Sequence, residues 1–204
     1  MTEKLDLKKT YKNLYEPSPK APALVDVPTF NFICLDGSGD PNNNPFYQEV
    51  VTTLFSLSYA LKFAVKKTQG IDYAVMPLEG LWWVEDMSRF SLERKGDWLW
   101  TMMILQPEWV TPDLFARMQP EVAKKKGLPQ AAQARLESYP EGLSVQIMHL
   151  GPYSAESPTV ARLHAFAHEQ GYRLEGRHHE IYLGDVRKTA PEKLKTVIRQ
   201  PVRK

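Results

Sequence analysis

The chain has 204 residues, which is enough for one large domain or two small fused modules. Hydrophobic residues make up 43% and charged residues 25%, a composition typical of globular proteins. The formal net charge of +2 argues against nucleic acid as the main partner, because nucleic-acid binding needs a concentrated basic surface. The one cysteine, Cys34, is interpreted as a buried structural thiol. Residues 1–20 contain no stretch typical of a signal peptide or membrane anchor, so a cytoplasmic location is expected.

The N-terminal part of the chain is predicted to be an arm that precedes the folded domain. Segment 1–22 ends in several prolines, and the domain is expected to cover 23–204. The apolar run at 30–35 predicts the first strand, and a cluster rich in Gly and Asp at 36–40 ends it.

Helical spacing of apolar residues then predicts a long amphipathic helix over 45–67, with Gly70 as its stop. Two short runs, 73–76 and 81–84, are predicted to be strand segments. The aromatic and apolar run at 98–105 predicts a further strand.

The second half begins with a predicted helix over 111–126, which would link two modules and which Thr111 caps. The runs at 135–139 and 143–150 are predicted to pair as a hairpin around 140–142. The next predicted helix begins at Ser157 and Pro158 and ends at Gly171. The last predicted strands are 180–183 and 194–199.

The two halves resemble each other, which indicates an internal duplication. The run ICLDG at 33–37 matches IMHLG at 147–151, and WTMMILQP at 100–107 matches LKTVIRQP at 194–201. The predicted fold class is therefore α+β, with tandem duplicated β-α-β-β modules at about 23–110 and 130–204. Their antiparallel sheets are expected to form a central ligand cleft, because module interfaces commonly hold ligands.

Three motifs give the chain a resemblance to the GyrI-like small-molecule-binding family. They are HEIYLGD at 179–185 with RKTAPEKL after it, YAVMPLEGLWW at 73–83, and WLWTMMILQP at 98–107. The family is related to the effector-binding domains of multidrug-responsive transcription regulators, and some members are hydrolases that open the cyclopropane ring of DNA-alkylating natural products. The resemblance implies a pocket for lipophilic, aromatic and often cationic molecules, and it implies no cofactor and no direct binding to nucleic acid.

Glu180 is the residue that this resemblance assigns to the ligand, because the family's carboxylate at this position faces the pocket. A carboxylate in an apolar pocket is costly to ionise without a partner, and a lipophilic cation is such a partner. Tyr182 lies two residues further on and would share the face of Glu180 on a strand. The alternative is that both residues lie on a solvent-facing edge strand.

Aromatic residues supply the rest of the predicted pocket, since aromatic rings stack on flat ligands and attract cations. Each of them is also a candidate for the hydrophobic core. The predicted ligand-binding residues besides Glu180 and Tyr182 are Trp82, Trp83, Trp98, Trp100, Met102 and Tyr153.

Other polar residues give weaker indications. Glu79 has two interpretations, as part of the pocket or as a cap on a chain corner, and the corner is favoured. His164 and His168 have the spacing of helical metal ligands, but no third ligand lies at a suitable distance, so no metal site is predicted. His178 and His179 are adjacent on a strand and are expected to point to opposite faces.

Three functions stay open from the sequence. The first is binding of lipophilic aromatic, often cationic, small molecules. The second is hydrolysis of cyclopropane-bearing alkylators, with Glu180 as general base and with Tyr182 or a nearby group as hydrogen-bond donor to the developing oxyanion. The third is a role through a protein partner such as a topoisomerase, for which the family offers precedent. No membrane association is expected.

Overall fold

The computed structural model describes residues 4–87 and 94–204 of the chain. Its α-helices are α1 (Leu7–Thr10), α2 (Lys12–Tyr15), α3 (Pro45–Gln69), α4 (Pro112–Lys126) and α5 (Ser157–Glu169). Its strands are β1 (Ala23–Val27), β2 (Phe30–Ser38), β3 (Leu78–Trp83), β4 (Leu99–Gln106), β5 (Arg135–Tyr139), β6 (Gly142–Leu150), β7 (Arg173–Leu174), β8 (His178–Tyr182) and β9 (Lys195–Arg203). The α+β class predicted from the sequence is confirmed, and the paired strands are antiparallel.

The chain divides into two compact units. Unit 1 consists of Met1–Leu7, Phe30–Met76 and Trp83–Tyr139. Unit 2 consists of Lys8–Thr29, Pro77–Trp82 and Pro140–Lys204. Each unit takes segments from both halves of the sequence.

Unit 1 is built on three strands in the order β4, β2, β5, with α3 packed on β2 and β4. Asn44 caps α3 by accepting a hydrogen bond from the amide of Phe46, and Gly70 ends the helix in the left-handed conformation. The buried face of α3 repeats at helical spacing. Its buried apolar residues are Val50, Leu54, Leu57, Leu61 and Val65.

Unit 2 contains the strand order β1, β6, β9, β8, β3, and β7 pairs with a further part of β9. Helix α5 packs on β6 and β9 through Leu163 and Ala167. These helix residues form one hydrophobic core with side chains of the two strands. The strand residues of this core are Val145, Ile147, Ile198 and Val202.

The register of the strands agrees with the internal duplication. In unit 1, Ile33 lies opposite Ile104 across the β2–β4 ladder. In unit 2, Ile147 lies opposite Ile198 across the β6–β9 ladder. These are the same two pairs that the matching sequence runs align, so each repeat builds its central strand pair in the same way. The ligand cleft expected where two modules meet stays a prediction.

Two strand predictions were wrong. The segments at 135–139 and 143–150 do not pair as a hairpin, because β5 pairs with β2 while β6 pairs with β1 and β9. The segment at 73–76 contributes one bridge, from Tyr73 to Leu5, and the strand predicted after it begins earlier, at Leu78. For β5, the more distant strand β2 satisfies the backbone groups that pairing with β6 was expected to satisfy.

The N-terminal segment predicted as an arm forms α1 and α2, and the side chains of Leu14 and Tyr15 are buried. Strand β1, which follows it, was not predicted from the sequence. Among the residues that the structure describes, no helix is long and apolar enough to cross a membrane.

Gly37 illustrates how a strand glycine makes room for a large core side chain. Gly37 lies opposite Trp100 across the β2–β4 ladder, and Trp100 is fully buried. A Cβ atom at position 37 would lie 2.0 Å from the Cη2 atom of the Trp100 ring. Only glycine leaves the space that this ring occupies.

We expect Gly37→Ala to lower the free energy of unfolding by about 1–3 kcal/mol or more, because overpacking forces side chains off their rotamers. Urea denaturation of the variant measures this loss. Gly96→Ala is the matched control, since nothing lies within 4 Å of a Cβ atom placed there, and its effect should stay within about 0.5 kcal/mol. Equal stability of the two variants would show that the close approach of Trp100 is not a constraint.

Candidate functional site

Strand β8 carries Glu180, and it lies inside the sheet of unit 2 between β9 and β3. Glu180 is opposite Ile198 on one side and Gly80 on the other. Facing residues of an antiparallel pair project to the same face, and so do residues two apart on one strand. Glu180 therefore shares a face with His178 and Tyr182, and Ile198 places this face on the side of α5.

The carboxylate of Glu180 is held from two directions. The Tyr182 hydroxyl donates a hydrogen bond to Oε2 over 2.9 Å, and Nε2 of His178 lies 3.1 Å from Oε1. The indole Nε1 of Trp82 donates to the Tyr182 hydroxyl over 2.9 Å. The Glu180 side chain is 16% exposed, so the solvent-facing edge strand considered from the sequence is excluded. We refer to Trp82, His178, Glu180 and Tyr182 as the Glu180 cluster.

The hydrogen bonds of the cluster have a direction. The Trp82 indole can only donate, so the Tyr182 oxygen accepts from it, and the Tyr182 hydroxyl proton is then directed to Glu180. This arrangement orients the carboxylate. It also means that Tyr182 must release Glu180 before it can donate a hydrogen bond to any other oxygen.

Gly80 lies on β3 opposite Glu180, between Leu78 and Trp82. Trp82 is opposite His178 in the ladder, yet its indole reaches Tyr182, which is four residues further along β8 and opposite Leu78. The indole therefore extends across the position of Gly80.

Tyr153 lies beside the cluster. Its ring centroid is 5.4 Å from that of Tyr182 in an edge-to-face arrangement, and its side chain is 39% exposed. The buried ring of His149 fixes the loop before Tyr153, since its Nε2 lies 3.2 Å from the carbonyl oxygen of Pro152. Burial, and secondarily the negative charges of Glu156 and Glu180, raises the pKa of Tyr153 to about 12, so its hydroxyl stays protonated at neutral pH.

The opposite face of the same strands carries a buried ionic network. Nε2 of His179 lies 3.0 Å from Oε2 of Glu79, and Nδ1 lies 2.8 Å from Oε1 of Glu141. Both ring nitrogens face carboxylates, which accept hydrogen bonds when ionised, so His179 is an imidazolium that donates from both nitrogens. The three side chains are at most 2% exposed.

Arg199 completes the charge balance of this network. Its Nη1 donates to Oε2 of Glu141 over 2.9 Å, and its Nε donates to the side chain of Gln146 over 3.1 Å. The network thus contains two carboxylates, Arg199 and the His179 imidazolium, and its charges cancel. Buried charges are tolerated in proteins when they are paired and hydrogen-bonded in this way.

The network also fixes the N-terminal segment. The Tyr15 hydroxyl donates to Oε1 of Glu79 over 2.9 Å. Nη2 of Arg199 donates to the carbonyl of Leu14 over 2.9 Å, and Nε2 of Gln146 donates to the carbonyl of Asn13 over 2.6 Å. Segment 13–15 is therefore bonded to the sheet through side chains that are almost completely buried.

The prediction that Glu79 caps a chain corner was wrong. Glu79 lies within β3, is 1% exposed and is bonded to Tyr15 and His179. The sequence did contain a signal for this network, because Glu79 interrupts the otherwise apolar strand β3. The prediction that His178 and His179 point to opposite faces is confirmed, since each bonds to a different set of residues.

Four of the predicted site residues lie together in unit 2: Trp82, Tyr153, Glu180 and Tyr182. The others belong to unit 1. Trp100 and Met102 are fully buried, and Trp100 packs edge-on against Tyr47. A ligand could reach these two side chains only if their neighbours moved, and their role in binding stays a prediction.

Trp98 and Trp83 are the remaining predicted residues of unit 1. Trp98 is 7% exposed, and the ammonium of Lys95 lies 5.3 Å from its ring centroid. Trp83 is half-buried. Their contribution to a ligand site also stays a prediction.

The histidines of α5 were considered from the sequence as metal ligands. Within residues 4–87 and 94–204, no group of three or more His, Cys, Asp and Glu side chains is placed to hold a metal ion. Burial, with the nearby His178 and His168, lowers the pKa of His164 to about 4, so His164 is neutral at neutral pH.

Comparison with known sequences identifies a family for nearly the whole chain. The sequence profile of the GyrI-like small molecule binding domain matches residues 20–203. A comparison with curated proteins gives no match.

Solved structures similar to this chain include proteins from Listeria innocua. An uncharacterized conserved protein is 38% identical, with a TM-score of 0.91, and the match covers 98% of this chain and 100% of that one. A protein described as a hydrolase is 37% identical over the same shares of both chains, with a TM-score of 0.88. The C-terminal domain of EcmrR is 14% identical with a TM-score of 0.55, covering 90% of this chain and 97% of that domain, and this likeness shows the fold alone.

The buried network predicts how stability depends on pH. Burial alone would lower the pKa of His179, but Glu141 and Glu79 raise it from 6.5 to about 9. Burial would raise the pKa of Glu141, but His179 and Arg199 lower it from 4.5 to about 2. The stabilisation from His179 is complete below pH 6.5 and is lost as the pH rises toward 9. The stabilisation from Glu141 is complete above pH 4.5 and is lost as the pH falls toward 2.

We therefore expect the free energy of unfolding to be highest between about pH 4.5 and pH 6.5, with losses on the order of 3 kcal/mol on either side. Urea denaturation across the pH range measures this profile. His179→Gln, which cannot carry the charge, should remove the decline between pH 6.5 and 9. His168→Gln, at an exposed position of α5, should preserve the decline. An unchanged decline in His179→Gln would assign it to other groups.

Proposed function

The chain belongs to the family of GyrI-like small molecule binding domains, and we propose that the Glu180 cluster, with Tyr153, binds lipophilic aromatic molecules and prefers cationic ones. The observation that carries this proposal is a carboxylate, 16% exposed, among the aromatic side chains of Trp82, Tyr182 and Tyr153. Such a group offers one fixed negative charge beside apolar surface. A lipophilic aromatic cation complements both features.

The hydrogen bonds of Glu180 leave it able to accept a ligand. A carboxylate has about four acceptor sites, and Tyr182 and His178 each use one. The remaining sites are available to a cationic or N–H donor group of a ligand. Because the carboxylate is already oriented, binding loses little side-chain entropy at this position.

Aromatic surface supplies the second part of the proposed affinity. Tyr153 has the most exposed ring of the group, at 39%, and it meets Tyr182 edge-on. A flat ligand that stacks on such rings gains both buried area and favourable ring geometry. We extend the proposal to Trp83 and Trp98, and to Trp100 and Met102 if their neighbours move on binding.

The test of this proposal compares 10-methylacridinium, a flat cation, with 9-methylanthracene, its neutral isostere. Both are fluorescent, so titration of the wild-type protein gives both dissociation constants. We expect Glu180→Gln to weaken binding of the cation by about 2–5 kcal/mol, because a buried charge pair is lost, and to affect the neutral compound much less.

Glu169→Gln, which removes an exposed carboxylate at the end of α5, is the matched control and should change neither affinity. Equal losses for the cation and the neutral compound in Glu180→Gln would contradict the proposed charge role. Failure of both compounds to bind the wild-type protein would contradict binding of this class of molecule.

A second candidate function is hydrolysis of cyclopropane-bearing aromatic alkylators. It is favoured by similarity over the full chain to a Listeria innocua protein described as a hydrolase. In this reaction Glu180 takes a proton from water, and the water oxygen bonds to a cyclopropane carbon. The ring C–C bond breaks, and its electron pair moves into the conjugated carbonyl. The hydrogen bond of Tyr182 to Glu180 favours a role in orienting this base over donation to the oxyanion.

For this candidate we expect Glu180→Gln to lower single-turnover ring opening by about 10²–10⁴-fold, since a positioned general base contributes that factor. Tyr182→Phe should lose less, because it keeps the base and removes one hydrogen bond. The measurement is product formation from a cyclopropane-bearing substrate above a buffer blank. No product from the wild-type protein would leave the binding function alone, and equal rates in wild type and Glu180→Gln would exclude Glu180 as the base.

A further inference from the structure

The ring of His178 contacts the Glu180 carboxylate, and neither proposed function assigns a role to His178. Its side chain is 8% exposed and projects from the same face of β8 as Glu180 and Tyr182. On the neighbouring strand it is opposite Trp82, the residue that donates to Tyr182. Tyr182, which accepts a hydrogen bond from Trp82, therefore bonds to Oε2 of the carboxylate, while His178 bonds to Oε1.

The two oxygens of Glu180 are held independently. Tyr182 bonds to Oε2, and within the part of the chain that the structure describes the hydrogen-bond partner of Oε1 is His178. One hydrogen bond fixes the position of a carboxylate oxygen but permits rotation of the group about it. A second bond, on the other oxygen and from the other side, stops that rotation.

Glu180 is a partner of the His178 ring, and the described ionisable groups around it differ in charge at neutral pH. His164 on α5 is neutral at neutral pH, because burial and the neighbouring His178 and His168 keep its pKa at about 4. The Tyr182 hydroxyl donates a hydrogen bond to Glu180, and Tyr153 is an uncharged phenol at that pH. Among the described residues, the Glu180 carboxylate lies within hydrogen-bond distance of the His178 ring.

We propose that His178 is a positioning residue that holds the Glu180 carboxylate in one orientation, and that this orientation allows the site to distinguish cationic from neutral aromatic molecules. The proposal rests on the binding function proposed above. The hydrogen bond from His178 to Oε1 is the source of the discrimination between cationic and neutral molecules, and His178 itself does not touch the ligand. Without that bond the carboxylate turns about its contact with Tyr182, and its charge is no longer fixed relative to the aromatic rings.

Two variants separate positioning from folding. In His178→Gln the side-chain amide places an N–H donor close to the position of Nε2, so the bond to Oε1 is retained. In His178→Leu the volume is similar but the donor is lost. His168→Gln is the control, because His168 is an exposed residue of α5 outside the cluster.

The readout is the ratio of the dissociation constants of 9-methylanthracene and 10-methylacridinium for each protein. We expect the ratio to fall roughly tenfold or more in His178→Leu, since hydrogen bonds to charged groups are worth this factor, and to be kept in His178→Gln and His168→Gln. An unchanged ratio in His178→Leu overturns the proposal. This holds also when both compounds bind equally more weakly, because equal weakening indicates a structural role alone.

A crystal structure of each ligand-free variant decides the positioning role without any ligand. We expect the Glu180 carboxylate to be reoriented in His178→Leu and to keep its native contacts in His178→Gln. A native carboxylate orientation in His178→Leu overturns the proposal. If the wild-type protein binds neither compound, the proposed binding function fails, and these crystal structures still decide whether His178 positions Glu180.

Discussion

The imidazolium of His179, held between two buried carboxylates, is the interaction on which unit 2 depends. Buried carboxyl groups need charged or hydrogen-bonding partners at this depth, and His179 contacts both Glu79 and Glu141. Its neighbour in the chain is Glu180, and the neighbour of Glu79 is Gly80. The ion pairs on one face therefore fix the two strands whose opposite face carries the Glu180 cluster, so the same backbone serves stability on one side and the candidate site on the other.

Local signals in the sequence were sufficient for the elements that form locally. The helix stop at Gly70 and the cap at Thr111 were predicted because they act within a few residues of the helix ends. The alternation of a strand predicted that Glu180 and Tyr182 share a face, and the two side chains are hydrogen-bonded. The matching runs of the two repeats predicted equivalent central strand pairs, because strand pairing repeats when the sequence repeats.

What the sequence did not reveal depends on partners that are distant in the chain. The segment Arg135–Tyr139 forms a strand, but it pairs with β2 and not with the nearby β6, and the residues of the segment do not indicate this choice. Glu79 has the sequence context of a corner, and only the positions of Tyr15 and His179 make it a buried ion. The contact of His178 with Glu180 likewise required the side-chain conformations of both residues.

The exchange of strands between repeats has a consequence for the history of the chain. Strand β1 precedes β2 yet pairs with β6, and β5 precedes β6 yet pairs with β2, so neither repeat contains the leading strand of its own sheet. A protein made of one such repeat would lack an edge partner unless a second copy donated its leading strand. The present chain has the connectivity expected when the two subunits of a strand-exchanged dimer become joined by gene fusion.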